Sequence, residues 1–411
     1  MHPKPFDFRS GAVRLSAYYG ALFVIYGAHV TYFPLWLDGR QLSASEISII
    51  VAAPFFLRLL ITPLVAVYAD HHQNHRGLVI LLSWAALALA AVMSQMHGFW
   101  PMFLLAVPFA IATTTIMPLT ETIAVSRVRA DGLDYGRVRL WGSLTFVVMG
   151  LAGGVMVERY GGGVGVWLLI FGAVLTVMAA HWLPGLSAVA APSQVARPAL
   201  SRQDVMELIR SRAFLLFLVS VGCTQASHAT FYTFGALHWQ SLEISSVAIG
   251  AMWAVAVLAE VVLFAWSRPV VARFGAVKLL QMGAVAAVVR WGVMSFDPPL
   301  ALLMPLQVLH ALTYGATHLA AIHFIARAVP GAASGTAQAL YASVAAGVLM
   351  GLATLLSAPL FMAFGGGAFL LAAALGVAGL VAAIMLGSCW DGGRIGARDP
   401  DIIPTAPAPG V

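Results

Sequence analysis

Four residues carry full charges inside stretches that are otherwise apolar: Arg58 in FFLRLLITP, Glu121 in MPLTETIAV, Glu260 in VLAEVVLF and Arg290 in AAVVRWGV. A charge at the centre of a bilayer costs about 2.5–3.5 kcal/mol on insertion scales, so such residues mark sites of function. Two acids and two bases suit mutual pairing, capture of a charged solute and carriage of a proton. Glu260 and Arg290 stand on consecutive predicted helices and are expected to pair inward, where a pair costs less than either charge alone. Protonation of Glu260 would then release Arg290 and change the side to which a cavity opens. A static structural ion pair is the alternative. Arg58 can pair with Glu121, but Glu121 has a second partner in Arg139, at the entry to the following helix. A carboxylate and a guanidinium held across a small gap bind hydroxyls, and the guanidinium alone grips a carboxylate in bidentate fashion. Arg139 is equally readable as one more basic residue at a cytoplasmic helix end. His310, Tyr314 and His318 recur every four residues and form one polar stripe. Histidines titrate in the range a proton path needs, although buried histidines bonded to neighbouring helices fit the same spacing. His29 and His228, each followed by aromatic residues, and Tyr232 could line a cavity and stack on a substrate ring, or pack in a core.

These residues need helices to position them. Of 411 residues, 61% are apolar and 9% are charged, whereas soluble domains average about 25% charged, so a water-soluble protein is excluded. The mean hydropathy of +0.90 fits a chain dissolved in lipid, where about 20 apolar residues cross once. Apolar blocks fall at 14–37, 46–69, 77–96, 99–124, 137–157, 164–183, 213–238, 245–266, 276–296, 299–326, 335–362 and 366–387. The expected fold is an all-α membrane protein of twelve transmembrane helices in two pseudo-symmetric bundles of six. Its expected parts are a first bundle over 1–184, a linker over 185–212, a second bundle over 213–390 and a disordered tail over 391–411.

The basic residues are 20 Arg and 2 Lys strung between apolar blocks, which is a topology signal and not a nucleic-acid-binding face. Eighteen of the 22 fall on the side of the termini, which places both termini in the cytoplasm. The halves echo one another. His29-Val30-Thr31-Tyr32-Phe33 returns as His228-Ala229-Thr230-Phe231-Tyr232, and Gly150 and Gly154 have counterparts in Gly347 and Gly351, at a spacing that lets helices approach closely. Such repeats with a site between them are a transporter plan. Cys223 and Cys389 support neither a disulfide framework nor a metal site. The cluster from Asp70 to His75 lacks a supporting metal-ligand set, and the runs Gly161-Gly162-Gly163 and Gly365-Gly366-Gly367 lack the strand, helix and Lys of a phosphate cradle. No nucleophile arrangement points to an enzyme, and no cleavable leader is read at the start.

Seven strings in order carry a resemblance: PLTE with Glu121, LDYGRVRLWGS from Leu133 to Ser143, QASHATFY with Gln225, His228 and Tyr232, LAEVVLFA with Glu260, VVRWGV with Arg290, QVLH with Gln307 and His310, and THLAA with His318. Together they resemble the major facilitator superfamily, and within it the 3-phenylpropionic acid transporter family, near lactose permease and the nucleoside symporters. The similarity spans nearly the whole chain. It implies a two-bundle fold in a bacterial inner membrane and proton-driven uptake by alternating access. By likeness to lactose permease, Glu121 and Arg139, 18 residues apart, fall where its sugar-contacting acid and base fall, and Glu260, Arg290 and His318 fall where its coupling residues do. Two departures stand out. The loop AVYADHHQNHRG keeps Asp70 and Arg76 without the usual basic and glycine pattern. The acid expected shortly after the tenth-helix histidine is replaced by Leu319, Ala320, Ala321 and Ile322, which leaves the proton to Glu260 or Glu121.

The expected function is therefore proton symport of a small organic solute, an aromatic carboxylate such as 3-phenylpropionate foremost. Sugar or nucleoside symport is the alternative and drug efflux a more distant one. The expected substrate-binding residues are Arg58, Glu121, Arg139, His29, His228 and Tyr232, and the proton-coupling residues Glu260, Arg290, His310 and His318. The expected partners are the solute, protons and the lipid bilayer, with no cofactor, metal or nucleic acid, and the chain is expected to act as a monomer.

Overall fold

The structure, a computed structural model, describes residues 10–187, 206, 208–330 and 333–395. Lys4 and Arg9, most of the 185–212 linker and the tail beyond 395 lie outside the described residues, so the expectations for them are not addressed by the fold. Among the described residues eleven helical stretches are long and apolar enough to cross a membrane, and no strand is present. They are α1 (Gly11–Gly39), α2 (Ala44–His72), α3 (His75–Met93), α4 (Phe99–Asp131), α5 (Tyr135–Tyr160), α6 (Gly165–Trp182), α7 (Arg212–Ser241), α8 (Ser246–Ala265), α9 (Ser267–Met294), α10 (Leu300–Ala328) and a last stretch, Ser334–Cys389. Gly365, at φ 54°, and a 3-10 turn break that last stretch into α11 (334–364) and α12 (Phe369–Cys389).

The sequence marks its own helix ends with caps, because the first backbone N–H groups of each helix need acceptors. Ser43 and Glu46 form a capping box on α2, Asp134 caps α5, and Ser245 caps α8. Gly132 closes α4 in the left-handed region. The apolar blocks underestimate several helices. α4 runs seven residues past the expected end at 124, and α9 begins at Ser267, ahead of the expected 276, through a kink at Gly275. Hydropathy detects only the part of a helix in hydrocarbon, whereas backbone hydrogen bonding continues into the polar interface.

Helices α7 and α10 depart from regularity where the charged residues gather. α7 is interrupted at Ser227 and His228, and α10 carries a π turn over Ala311–Ala316. A second π turn, Val344–Leu349, lies in α11. Such wide turns free carbonyls and rotate side chains, and they recur at functional sites.

Helices α1 to α6 pack mainly among themselves, as do α7 to α12, and the groups meet chiefly through α5 against α8 and α2 against α11. Both sequence-predicted glycine pairs lie on these seams. Gly154 faces the backbone of α8 so closely that a Cβ there would stand 2.5 Å from the Ser246 carbonyl oxygen. Phe56 and Leu59 of α2 lie against Gly351 and Gly347 of α11.

Candidate functional site

Arg290 sits on α9 with no exposed surface. Its expected partner, Glu260, is not in direct contact with it: His310 stands between them. One terminal nitrogen of Arg290 donates to His310 Nδ1 at 3.2 Å and to Thr313 Oγ1 at 3.3 Å, and the other donates to Gln307 Oε1 at 2.7 Å. The guanidinium also lies 4.3 Å from the Trp291 ring centre and 5.0 Å from that of Phe231. Arginine only donates, so Nδ1 of His310 accepts and a neutral His310 carries its proton on Nε2. That nitrogen is 3.5 Å from Glu260 Oε2. Direct pairing fails because α10 is interposed between α8 and α9, a relation that sequence adjacency does not contain.

The π turn builds the rest of the network. It presents Thr313 to His228, whose Nε2 is 2.9 Å from Thr313 Oγ1 and whose Nδ1 donates to the Gln225 carbonyl at 3.0 Å. The Gln225 amide in turn donates to the Tyr314 carbonyl at 3.4 Å. Gly315, within the same turn, admits α8: a Cβ there would meet Leu263 at 3.0 Å and Glu260 Cγ at 3.4 Å. His228 is fully buried with both nitrogens occupied, so it belongs to this network and does not offer a free face to a substrate. The predicted stripe is retained: His310 and Tyr314 stack at 5.4 Å, Tyr314 and His318 at 6.4 Å, and His318 Nδ1 lies 3.1 Å from the Tyr341 hydroxyl.

In the first group, Glu121 and Arg139 do meet, Nε to Oε1 at 3.8 Å, and both are about a quarter exposed at 29% and 27%. Tyr135 donates to the other Glu121 oxygen at 2.6 Å. The Arg139 guanidinium lies 4.1 Å from the ring centre of Phe23 and 5.4 Å from that of Tyr19. Arg58 lies 4.8 Å over the Phe55 ring and within electrostatic reach of Tyr26 and Tyr314. Across the two groups, Glu260 lies within electrostatic reach of Arg139, and within its own group of His318. His29 stacks on Phe33 at 4.7 Å, and Tyr232 stacks on Trp253 at 5.7 Å. Thr313, Tyr135, Tyr26 and Phe23 were given no role from sequence. A search for uncharged polar residues within apolar helices would have found Thr313 in α10, but nothing local marks Phe23 as the ring under Arg139.

The two groups are joined toward one end of the molecule. Arg14 at the start of α1 and Arg76 at the start of α3 donate to carbonyls of Trp182 and His181 at the end of α6, which defines one face of the molecule, the terminal face. At the opposite, far face, Glu158 near the end of α5 accepts from the backbone N–H of Ser246 at the start of α8 at 2.6 Å. Gly150 and Gly250 abut backbone to backbone beside it, and the Tyr32 hydroxyl donates to the Gly150 carbonyl. The cross-group contacts named above lie between mid-helix and the far face, whereas Glu121 and Arg139 sit toward the terminal face.

The family model described as "MFS_1 like family" matches residues 12–371. The chain is 31% identical over 352 residues to the probable 3-phenylpropionic acid transporter of Escherichia coli (strain K12), covering 85% of this chain and 91% of that protein. It is 29% identical over 351 residues to the maltose permease of Geobacillus stearothermophilus, covering 80% and 83%. The crystal structure of the nucleoside transporter NupG superposes with a TM-score of 0.75 at 15% identity, covering 92% of this chain and 98% of that one.

Proposed function

Because the chain belongs to the MFS_1 like family of transporters, we propose that it is a proton-coupled symporter that takes up a small aromatic carboxylate of the 3-phenylpropionate kind by alternating access. In this reading the chain makes twelve crossings of a bacterial inner membrane as two six-helix bundles, 1–184 and 213–390, joined by a linker over 185–212. Both termini are cytoplasmic, and the protein acts as a monomer. The terminal face is then cytoplasmic, and the described state is open inward and sealed outward.

The observation that carries the substrate class is Arg139. Its guanidinium lies over Phe23, contacts Glu121 only at 3.8 Å, and among the described residues makes no hydrogen bond. Planar donors without acceptors, bordered by aromatic rings, suit a carboxylate whose own ring lies against Phe23 and Tyr26. Arg58 adds a second cation on the chamber wall. His29 and Tyr232 border the chamber as further aromatic surface, and His228 contributes only through the network behind it.

Glu260 carries the proton. When Glu260 is ionised, the Nε2 proton of His310 is attracted to it, which holds Nδ1 as the acceptor for Arg290. Protonation of Glu260 removes that attraction, frees His310 to turn and loosens the α8–α10 contact at Gly315. His318, stacked on Tyr314 and within reach of Glu260, is the route by which the proton leaves. The second reading, symport of a sugar or nucleoside, is favoured by one feature: Glu121, Tyr135 and Arg139 together offer acceptors and donors for hydroxyl groups.

The test is uptake of labelled 3-phenylpropionate into proteoliposomes with and without a collapsed proton gradient, and competition by maltose and by nucleosides. Accumulation that needs the gradient and resists sugar competition supports the reading. Gradient-independent accumulation removes proton coupling, and competition by a neutral sugar moves the substrate to the second reading.

A further inference from the structure

We propose that the groove between α1, α5 and α6 at the terminal face is a binding site for an anionic phospholipid, with the headgroup held by Arg14 and Arg137 and one acyl chain lying along α1. The groove has a volume of about 1110 Å³, and none of Arg58, Glu121, Arg139, Glu260 or Arg290 lines it. Its floor is a run of small residues on α1, including Ala12, Ser16, Ala17 and Gly20, and its walls include Trp141 of α5 and Met178 of α6. The lining of α1 extends from Ala12 to Val24. At 1.5 Å per residue this is about 18 Å, close to the depth of one leaflet of a hydrocarbon core about 30 Å thick. An apolar trough of that length, open to lipid, matches an acyl chain better than it matches a protein segment.

The mouth supplies the charge. Arg137 lines it with a side chain 88% exposed, and it gives its Nε to Asp134 at 3.3 Å. Arg14 gives its Nε to the carbonyl of Trp182, itself a lining residue, at 2.5 Å. The terminal nitrogens of both guanidiniums have no acceptor among the described residues, so each retains donors for a phosphodiester. Arg76 and Arg127 lie within electrostatic reach of Arg14. Among the described residues the acids nearby are Asp134 and Asp131, the latter 3.7 Å from Arg127. Among the described residues four guanidiniums against two carboxylates leave the mouth positive, and, on the proposed orientation, basic pockets between helices on the cytoplasmic side favour anionic headgroups. Trp141 and Trp182, both exposed, stand at the level where aromatic side chains meet headgroups.

The experiment uses the purified full chain in neutral detergent. Native mass spectrometry and thermal unfolding are read with phosphatidylglycerol, with phosphatidylcholine of the same chains, and with inorganic phosphate. The proposal expects phosphatidylglycerol to be retained at least about tenfold more tightly than phosphatidylcholine and to raise the unfolding temperature, with phosphate alone doing neither. Arg14→Gln with Arg137→Gln should abolish the preference between the lipids. Ala17→Trp, which fills the trough and keeps the charges, should abolish retention of both. Arg137→Gln alone, at an exposed position, serves if the double variant does not fold, and should reduce the preference by itself. Equal retention of the two lipids by the unaltered chain, an effect of phosphate equal to that of the lipid, or a preference that survives these variants overturns the proposal. None of these measurements depends on the transported solute or on proton coupling.

Discussion

At the residue scale the proposed mechanism divides the work between Arg139, toward the solute, and Glu260, toward the proton. A charge-assisted hydrogen bond contributes about 1.5–3 kcal/mol, so Arg139→Gln should raise the KM for a carboxylate substrate by about 10–100-fold. Arg139→Lys keeps the charge but loses the planar fork, and an intermediate KM is expected. Initial-rate uptake at varied substrate concentration checks both, and an unchanged KM in Arg139→Gln would remove the carboxylate contact. Glu260→Gln cannot bind and release a proton. Uptake by the unaltered protein should fall as external pH rises, because fewer carriers are loaded with a proton from outside. The variant should lose gradient-driven accumulation and that pH dependence while retaining exchange of internal for external solute. Counterflow measured beside active uptake separates the two, and loss of both would make Glu260 merely structural. Arg290 shows why partner choice is the hardest inference at this scale. Its charge and burial follow from AAVVRWGV, but its three acceptors come from α10.

Helix α10 is the element that joins these residues. Its π turn places Thr313 between Arg290 and His228 and brings Gly315 against α8. Gly315→Ala should press on α8, since its methyl would stand 3.0 Å from Leu263 Cδ2, beside Glu260 Cγ at 3.4 Å. The expected result is weaker coupling, read as a lower ratio of gradient-driven uptake to exchange, with exchange itself reduced less than about threefold. Equal losses in both would indicate general damage to packing. The spacing of His310, Tyr314 and His318 announced the stripe, and the rings do stack in that order. The π turn was not legible, because a single wide turn depends on which neighbours satisfy the freed carbonyls, here the Gln225 amide.

For the whole molecule, the proposed alternating access depends on the seams between the two groups. The far face is held by Glu158 on the Ser246 N–H and by bare glycine backbones at Gly150, Gly154 and Gly250. Gly154→Ala cannot close this seam without displacing α8, and Glu158→Gln weakens a charge-assisted bond that also faces the positive end of α8. Both variants should shift the population toward opening at the far face, Gly154→Ala more strongly. Distances between spin labels at Gln41 and Glu243, exposed in the loops before α2 and α8, should lengthen in each variant. Unchanged distances would show that the seam does not set the resting state.

Sequence alone determined the medium, the approximate helix inventory, the four charges within apolar stretches and the glycine spacings, because hydropathy, charge and periodicity are properties of a local stretch of chain. The helix bounds it missed lie in the polar interface, where hydropathy carries no signal. Tertiary structure decided the partners: His310 between Glu260 and Arg290, Phe23 beneath Arg139, and both glycine pairs on the seams between the groups. Those outcomes depend on how each helix is rotated about its axis and which remote helix it packs against. Packing many apolar surfaces together selects both at once, and no short stretch of sequence encodes either.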